Sequence, residues 1–346
     1  MSVGTVANLP EDPALPALHR ALDTDVMFPY LAEAVALQPE TSTHLTCSAE
    51  VLKHKSGRRC TIRYALHNRH EHRAEKDAVI IGKLYCKRGS AKCVFEWMTA
   101  LSNRRLAGEQ LYIPAPLLQI PELGLLLQEY VEGVELRHVL LAEHSNDRAF
   151  SLAAQWLANL HMTPPPPGLP MKPLEREVDK INEWCTEVRP YLTVEDAVRL
   201  RQAQDGLQRL ASRLPIYEPA LIHRDFYPAN AFWDGERIRV VDFDELSIGD
   251  PALDVAHFLA HLQNLACRSQ RNANSFHREG AVFLESYLDA RSDIDLHLRL
   301  CFYKGYTLLK LAAKDARRQQ GDWRRRTGVM MGLANEEVAL GLQEAA

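Results

Sequence analysis

The feature that most constrains this chain is a change of hydrophobic period part-way along it. In its first third, apolar residues fall into short β-type runs. "SAEVLKHK" (residues 48–55) and "CTIRYALHN" (60–68) flank Ser56-Gly57-Arg58-Arg59, a glycine-containing turn, and predict a hairpin. "AVIIGKLYC" (78–86) predicts a third strand and "GLLLQEYVEG" (124–133) one more, ending in a linker. Between these two, "AKCVFEWMTALSNRRL" (91–106) is helical by spacing, with Val94, Met98 and Leu101 on one side. Beyond Gly133 the period becomes helical. "RAFSLAAQWLANLH" (148–161) keeps an apolar stripe until the prolines at 164–167 stop it, and "VEDAVRLRQAQDGLQRLASRL" (194–214) is a second amphipathic helix. A β-rich part at 1–130 thus precedes a helical part at 131–346. The first forty or so residues carry Pro10, Pro13, Pro16 and Pro29 and read as a loosely helical lead-in.

Composition narrows the class. A chain of 346 residues, 46% hydrophobic, can bury a large core as one big domain or two lobes. A net charge of -4 gives no general attraction to nucleic acid or anionic lipid. The seven cysteines are odd in number and show no C-x-x-C pair, which argues against a disulfide framework or a zinc ribbon and for a reducing cytoplasm. The sequence predicts neither an export signal nor a membrane span.

The chemistry concentrates in "LIHRDFYPANAFWDGERIRVVDFDEL" (221–246). "NAFW" and "RIRVVDF" read as strands, and Asp234-Gly235 between them is a hairpin turn signal. Folding about that turn sets residues near 239 opposite Asn230 and carries Asp242 to the loop from Asp225 to Asn230. Two carboxylates and an amide oxygen then form a hard-oxygen cluster suited to Mg²⁺, whose shell nucleotide phosphates and water complete. Phosphoryl transfer needs such a cluster, because phosphate charge must be neutralised while a hydroxyl is aimed at the γ-phosphate.

The spacing H-x-D-x-x-x-x-N, a hairpin and D-F-D resembles the catalytic loop and metal-binding Asp of the protein-kinase-like fold. The fuller "HRDFYPAN...VVDFDELSIGDPALDVAHFLAHL" is similar to the aminoglycoside phosphotransferase and choline kinase family of small-molecule kinases. The resemblance implies an α+β, two-lobed fold: a small antiparallel-sheet N-lobe and a larger, mostly helical C-lobe. It implies an ATP- and Mg²⁺-dependent phosphotransferase acting on a hydroxyl of a small molecule, of the aminoglycoside, sugar or amino alcohol class, with no nucleic-acid or membrane partner. Asp225 resembles the catalytic Asp, and Asn230 and Asp242 the metal ligands. Lys83 resembles the lysine on the nucleotide α- and β-phosphates, and Glu96, thirteen residues on, is its first-choice partner, with Glu109 second. In "LLLQEYVEG" the Glu129 carbonyl and Val131 N–H are the expected adenine contacts. The phosphate-covering hairpin departs from the kinase pattern, having Gly57 alone, with Lys55, Arg58 and Arg59 beside it. Arg224 stands where this family commonly has glycine and is expected to pair with Asp250 or Asp254.

Other features have plainer readings. His67, His70 and His72 form a charged loop rather than a metal site. "ARRQQGDWRRR" (316–326) is a charged helix end in which Trp323 hints at an interaction. His161 is expected to face the free carbonyls of a helix C-terminus, His223 to anchor the loop, and Asp254 to tie that loop to the next helix. Glu175, Glu177, Asp179, Glu183, Glu187, Glu195 and Asp196 form a solvated helical face or an acidic acceptor pocket. Two rivals remain. A non-catalytic nucleotide-binding scaffold rests on the single-glycine hairpin, and a protein kinase would need more than the short interval from Asp242 to Asp250.

Overall fold

A computed structural model describes residues 11–36, 45–68, 78–102, 105–106, 109–142, 146–293 and 295–345. The chain forms two compact units, one of residues 1–105 and 112–132, the other of residues 106–111 and 133–346. His70 and His72 lie outside the described residues.

The first unit is built on strands β1 (Leu45–Lys55), β2 (Arg59–Asn68), β3 (Ala78–Tyr85), β4 (Pro116–Ile120) and β5 (Leu125–Glu129), with helix α3 (Arg88–Ser102). They make an antiparallel sheet in the order β1-β2-β3-β5-β4. Alternation in β2 buries Cys60, Ile62, Tyr64 and Leu66 on one face. That face is covered by the lead-in, which forms α1 (Leu18–Leu22) and α2 (Thr24–Ala34) and contributes Leu18, Ala21, Met27 and Leu31 to the core. Asp23 caps α2 through the N–H groups of Asp25 and Val26. The Tyr64 hydroxyl, buried in this core, donates to the Ala21 carbonyl at 2.5 Å. The same ring explains Gly82, where a Cβ would stand 2.6 Å from Tyr64 Cε2. Asp12 holds the β1–β2 turn, accepting from the Gly57 N–H at 2.9 Å and meeting His54 Nε2 at 2.8 Å.

The second unit is mostly helical. Its strands are β6 (Val134–Glu135), β7 (Ala220–Ile222), β8 (Ala231–Trp233), β9 (Ile238–Val240) and β10 (Ser247–Gly249). Its helices are α4 (Leu136–Leu141), α5 (Asp147–Met162), α6 (Leu174–Val188), α7 (Val194–Ala211), α8 (Ala252–Arg268), α9 (His277–Ala290), α10 (Leu296–Arg318) and α11 (Trp323–Glu344). α10 is the central helix, packing on α11, α8, α6 and α7. Close approach there demands small residues: a Cβ on Gly206 in α7 would meet Val338 of α11 at 2.3 Å.

The segment 316–326 holds the charged end of α10, the turn at 319–322 and the start of α11. Arg326 pairs there with Asp315 at 2.9 Å, and Trp323 is buried under the Arg324 guanidinium instead of facing a partner. No described helix is long and apolar enough to cross a membrane.

Candidate active site

The loop from β7 to β8 carries the residues of interest, and its position is set from beneath by aromatic packing. Phe226, fully buried, stacks on Trp156 of α5 at 5.7 Å and meets Phe258 of α8 at 5.5 Å. Phe258 stacks in turn on Phe283 of α9 at 4.0 Å. With Phe226 pinned inward, its neighbour Asp225 is directed away from the core, and its side chain is 29% exposed.

Asn230 joins the loop to the hairpin. Its side-chain Nδ2 donates to the Asp225 carbonyl at 2.9 Å, leaving the amide oxygen as its remaining polar end. Its main-chain carbonyl accepts the Val241 N–H at 3.0 Å, which makes Asp242 a direct neighbour. The residue opposite Asn230 is therefore Val241, two places beyond the expected register, because the β8–β9 loop spans residues 234–237 rather than a two-residue turn. Asp234 builds that loop by accepting the N–H groups of Glu236 and Arg237 at 2.9 and 2.8 Å. Asp242 itself is left-handed, with φ 72° and ψ 61°. For a non-glycine residue that conformation costs about 1 kcal/mol.

Asp225 is ionised. Burial pushes its carboxyl up, but the His257 imidazole and the Lys310 ammonium outweigh burial and hold it well below the usual carboxylate range. His257 Nε2 lies 3.7 Å from Asp225 Oδ1, a close contact rather than a full hydrogen bond. His257 continues through ring contacts to His261 at 4.5 Å, and His261 to Tyr227 at 4.4 Å. Both histidines are held below their ordinary value, mainly by burial, so they stand neutral at pH 7.

The loop is clamped by Asp254 on α8, which accepts the backbone N–H groups of His223 and Arg224 at 2.6 and 2.7 Å. His161 does not face helix-end carbonyls. It is buried, with Nε2 3.2 Å from Asp254 and Nδ1 2.8 Å from the Tyr287 hydroxyl. The expected partner of Arg224 is also corrected. Its guanidinium pairs with Glu177 of α6, at 2.5 Å, and Tyr306 donates to the same carboxylate at 2.6 Å. Asp250 pairs instead with Arg299 of α10, at 2.5 Å. Glu177 is thus withdrawn from the acidic helical face, being 2% exposed.

In the first unit Lys83 is 6% exposed in β3, between Thr61 of β2 and Leu126 of β5, so it is not a strand-end lysine reaching for water. Glu96 is not brought to it. The carboxylate lies on the 58%-exposed outer face of α3 and pairs at 3.8 Å with Lys92, one turn earlier. Glu109 stands in the two-residue strand Glu109–Gln110. Glu129 ends β5, where its N–H donates to the Ala115 carbonyl, and Val131 is buried two residues later with half-exposed Tyr130 between them.

Sequence reasoning missed His257, Lys310 and Lys314. His257 lies three residues after Asp254, one helical turn, which is the only signal that could have brought it to the loop.

The model of the phosphotransferase enzyme family (APH) matches residues 86–300. No curated protein sequence matches the chain. Among solved structures, a choline kinase from Cryptosporidium parvum Iowa II is similar with TM-score 0.61 at 12% identity, over 93% of this chain and 97% of that one. A choline/ethanolamine kinase family protein from Mesorhizobium loti gives 0.58 at 16%, over 90% and 95%. The gentamicin complex of APH(2")-IIa gives 0.56 at 17%, over 90% and 96%. The observed antiparallel-sheet unit and helical unit are those of the protein-kinase-like α+β fold. With the family model covering more than half of its length, the chain belongs to the phosphotransferase enzyme family, as an enzyme built on the fold of small-molecule kinases.

Proposed function

We propose that this enzyme transfers the γ-phosphate of ATP to a hydroxyl of a small molecule. The observation that supports the reading is a pair of hydrogen bonds, Asn230 Nδ2 to the Asp225 carbonyl and the Val241 N–H to the Asn230 carbonyl, which ties Asn230 to the Asp225 main chain and to the residue before Asp242. Asp225 orients the acceptor hydroxyl and takes its proton. The acceptor oxygen bonds to the γ-phosphorus while the bond to the β,γ-bridging oxygen breaks, its electron pair leaving on ADP.

The donor set fits Mg²⁺. Asn230 has spent its amide nitrogen and keeps its oxygen, and Asp242 supplies a carboxylate from a strained backbone position. When bound there, the ion supplies neutralisation of phosphate charge. Lys83 is assigned to the α- and β-phosphates, and the Glu129 carbonyl and Val131 N–H to the adenine edge.

The short path from Asp242 to Asp250 weighs against a protein substrate. It is filled by a 3₁₀ turn (Phe243–Glu245) and strand β10, which pairs with β7. ADP release that depends on an added hydroxyl compound tests the reading. Absence of both turnover and ATP binding contradicts it.

A further inference from the structure

Helix α10 carries six basic residues, Arg299, Lys304, Lys310, Lys314, Arg317 and Arg318. Three have carboxylate partners: Arg299 pairs with Asp250, Lys304 with Glu337 and Arg317 with Glu187. Among the described residues, Lys310, Lys314 and Arg318 have none. They are spaced four apart, so they form one stripe along the helix.

The stripe starts at the reaction centre. Thr307, one turn before Lys310 and two before Lys314, meets His257 Nδ1 at 3.4 Å, and the other nitrogen of that ring faces Asp225. Lys310 and Lys314 therefore lie on the face of α10 that looks toward Asp225, and both are only part-buried. A solvated lysine would need no partner, but desolvation lowers the affinity of both ammonium groups for a proton, Lys314 to about 8. Two neighbouring ammonium groups held half out of water with no carboxylate in ion-pair contact weaken the fold. The carboxylates in their field are those of Asp225, Glu177 and Glu245, and Glu177 is already engaged by Arg224 and Tyr306.

The residues that would attract a cationic acceptor are meanwhile committed elsewhere or turned to water. On α6, Asp179 pairs with Arg176, Glu183 with Lys180 and Glu187 with Arg317.

We propose that Lys310 and Lys314 bind an anionic group, a carboxylate or a phosphate, carried by the hydroxyl acceptor. The assignment rests on the phosphotransferase reading above and deepens it. The acceptor is a hydroxy acid or a phosphorylated sugar rather than an aminoglycoside or amino alcohol. Ammonium groups beside Asp225 attract such a molecule and repel a polyamine. Arg318, at the outer end of the stripe, extends the positive field.

The test uses the full chain with ATP and Mg²⁺ against cationic, neutral and anionic hydroxyl compounds. The expected result is turnover confined to anionic acceptors, and a Lys314→Met variant whose acceptor KM rises about tenfold or more while the KM for ATP is unchanged. Preferred turnover of cationic or neutral acceptors, or a KM shift for ATP alone, would overturn the proposal. A second readout needs no acceptor. With ADP saturating the nucleotide site, inorganic phosphate should bind the wild type, and binding should be lost in the folded Lys310→Met/Lys314→Met variant. Equal phosphate binding by both proteins, or none by either, overturns the anion site whether or not the enzyme turns over. Intact, lysine-dependent phosphate binding with no ATP turnover on any acceptor would instead contradict the phosphotransfer reading, and with it the acceptor role.

Discussion

Asp254 holds Arg224 by its main chain: one carboxylate oxygen accepts the Arg224 N–H at 2.7 Å, while the other accepts that of His223 at 2.6 Å. The Asp254 side chain is fully buried, and burial raises its carboxyl, but His161 and the loop N–H groups outweigh that and keep it ionised. Asp254→Ala would leave two main-chain donors and a histidine without their acceptor. Unfolding free energy should fall by about 3 to 5 kcal/mol, read by urea denaturation. A loss under about 1 kcal/mol would mean the loop is held by its aromatic packing alone.

Arg224 has φ 64°, where a side chain is disfavoured, yet it carries the buried pair with Glu177. Two opposing terms follow for its replacement. Arg224→Ala loses the pair and keeps the strain, while Arg224→Gly loses the pair and relieves it. The glycine variant should be the more stable of the two by about 1 kcal/mol. Glu177→Gln should show a coupling of about 1 to 3 kcal/mol with either in a double-mutant cycle, and additive effects would remove the pair from the account.

Glu96 separates geometry from pattern. Since its carboxylate pairs with Lys92 at the surface, Glu96→Gln should leave the KM for ATP and kcat within about twofold of wild type. A large fall in kcat would place Glu96 at Lys83 after all.

Much of the frame was legible because it rests on local rules. The strands at 48–55, 60–68 and 78–86 were readable from alternation and a turn glycine, and each is observed with an end shifted by one to three residues. The approach of residues 241–242 to Asn230 followed from a hairpin, a short-range structure. What failed was set by tertiary packing. β4 was not foreseen, and the lead-in was given no role although it covers the sheet through Leu18, Met27 and Leu31. Nothing local distinguishes Glu177, which is buried against Arg224, from Glu175 or Asp179 on the same helix, and the partner lies 47 residues away. Lys310 and Lys314 carry no local signal in the sequence, because only the fold shows which basic residues of α10 have partners.

Burial also predicts a pH dependence of stability. His161, His257 and His261 are all held below their ordinary value of 6.5, chiefly by desolvation. As pH falls through about 6.5 the unfolded chain takes up protons that the folded chain refuses. Stability is therefore fully present above that pH and is lost below it, with a slope of up to about 1.4 kcal/mol per pH unit for each histidine. Urea midpoints at about pH 7.5 and about pH 5.5 measure this, and His261→Gln should flatten the difference. A midpoint that does not fall on acidification would contradict neutral burial of these rings.

Phosphate transfer by Asp225→Asn tests most directly whether the Asp225 carboxylate receives the acceptor's proton. The substitution keeps the shape of the side chain and the main-chain carbonyl that accepts from Asn230, and removes only the anion that receives the hydroxyl proton. In this variant kcat should fall by about 10² to 10⁴ while ATP affinity stays within about twofold. Turnover at the wild-type rate with Asn at this position would contradict that role for Asp225.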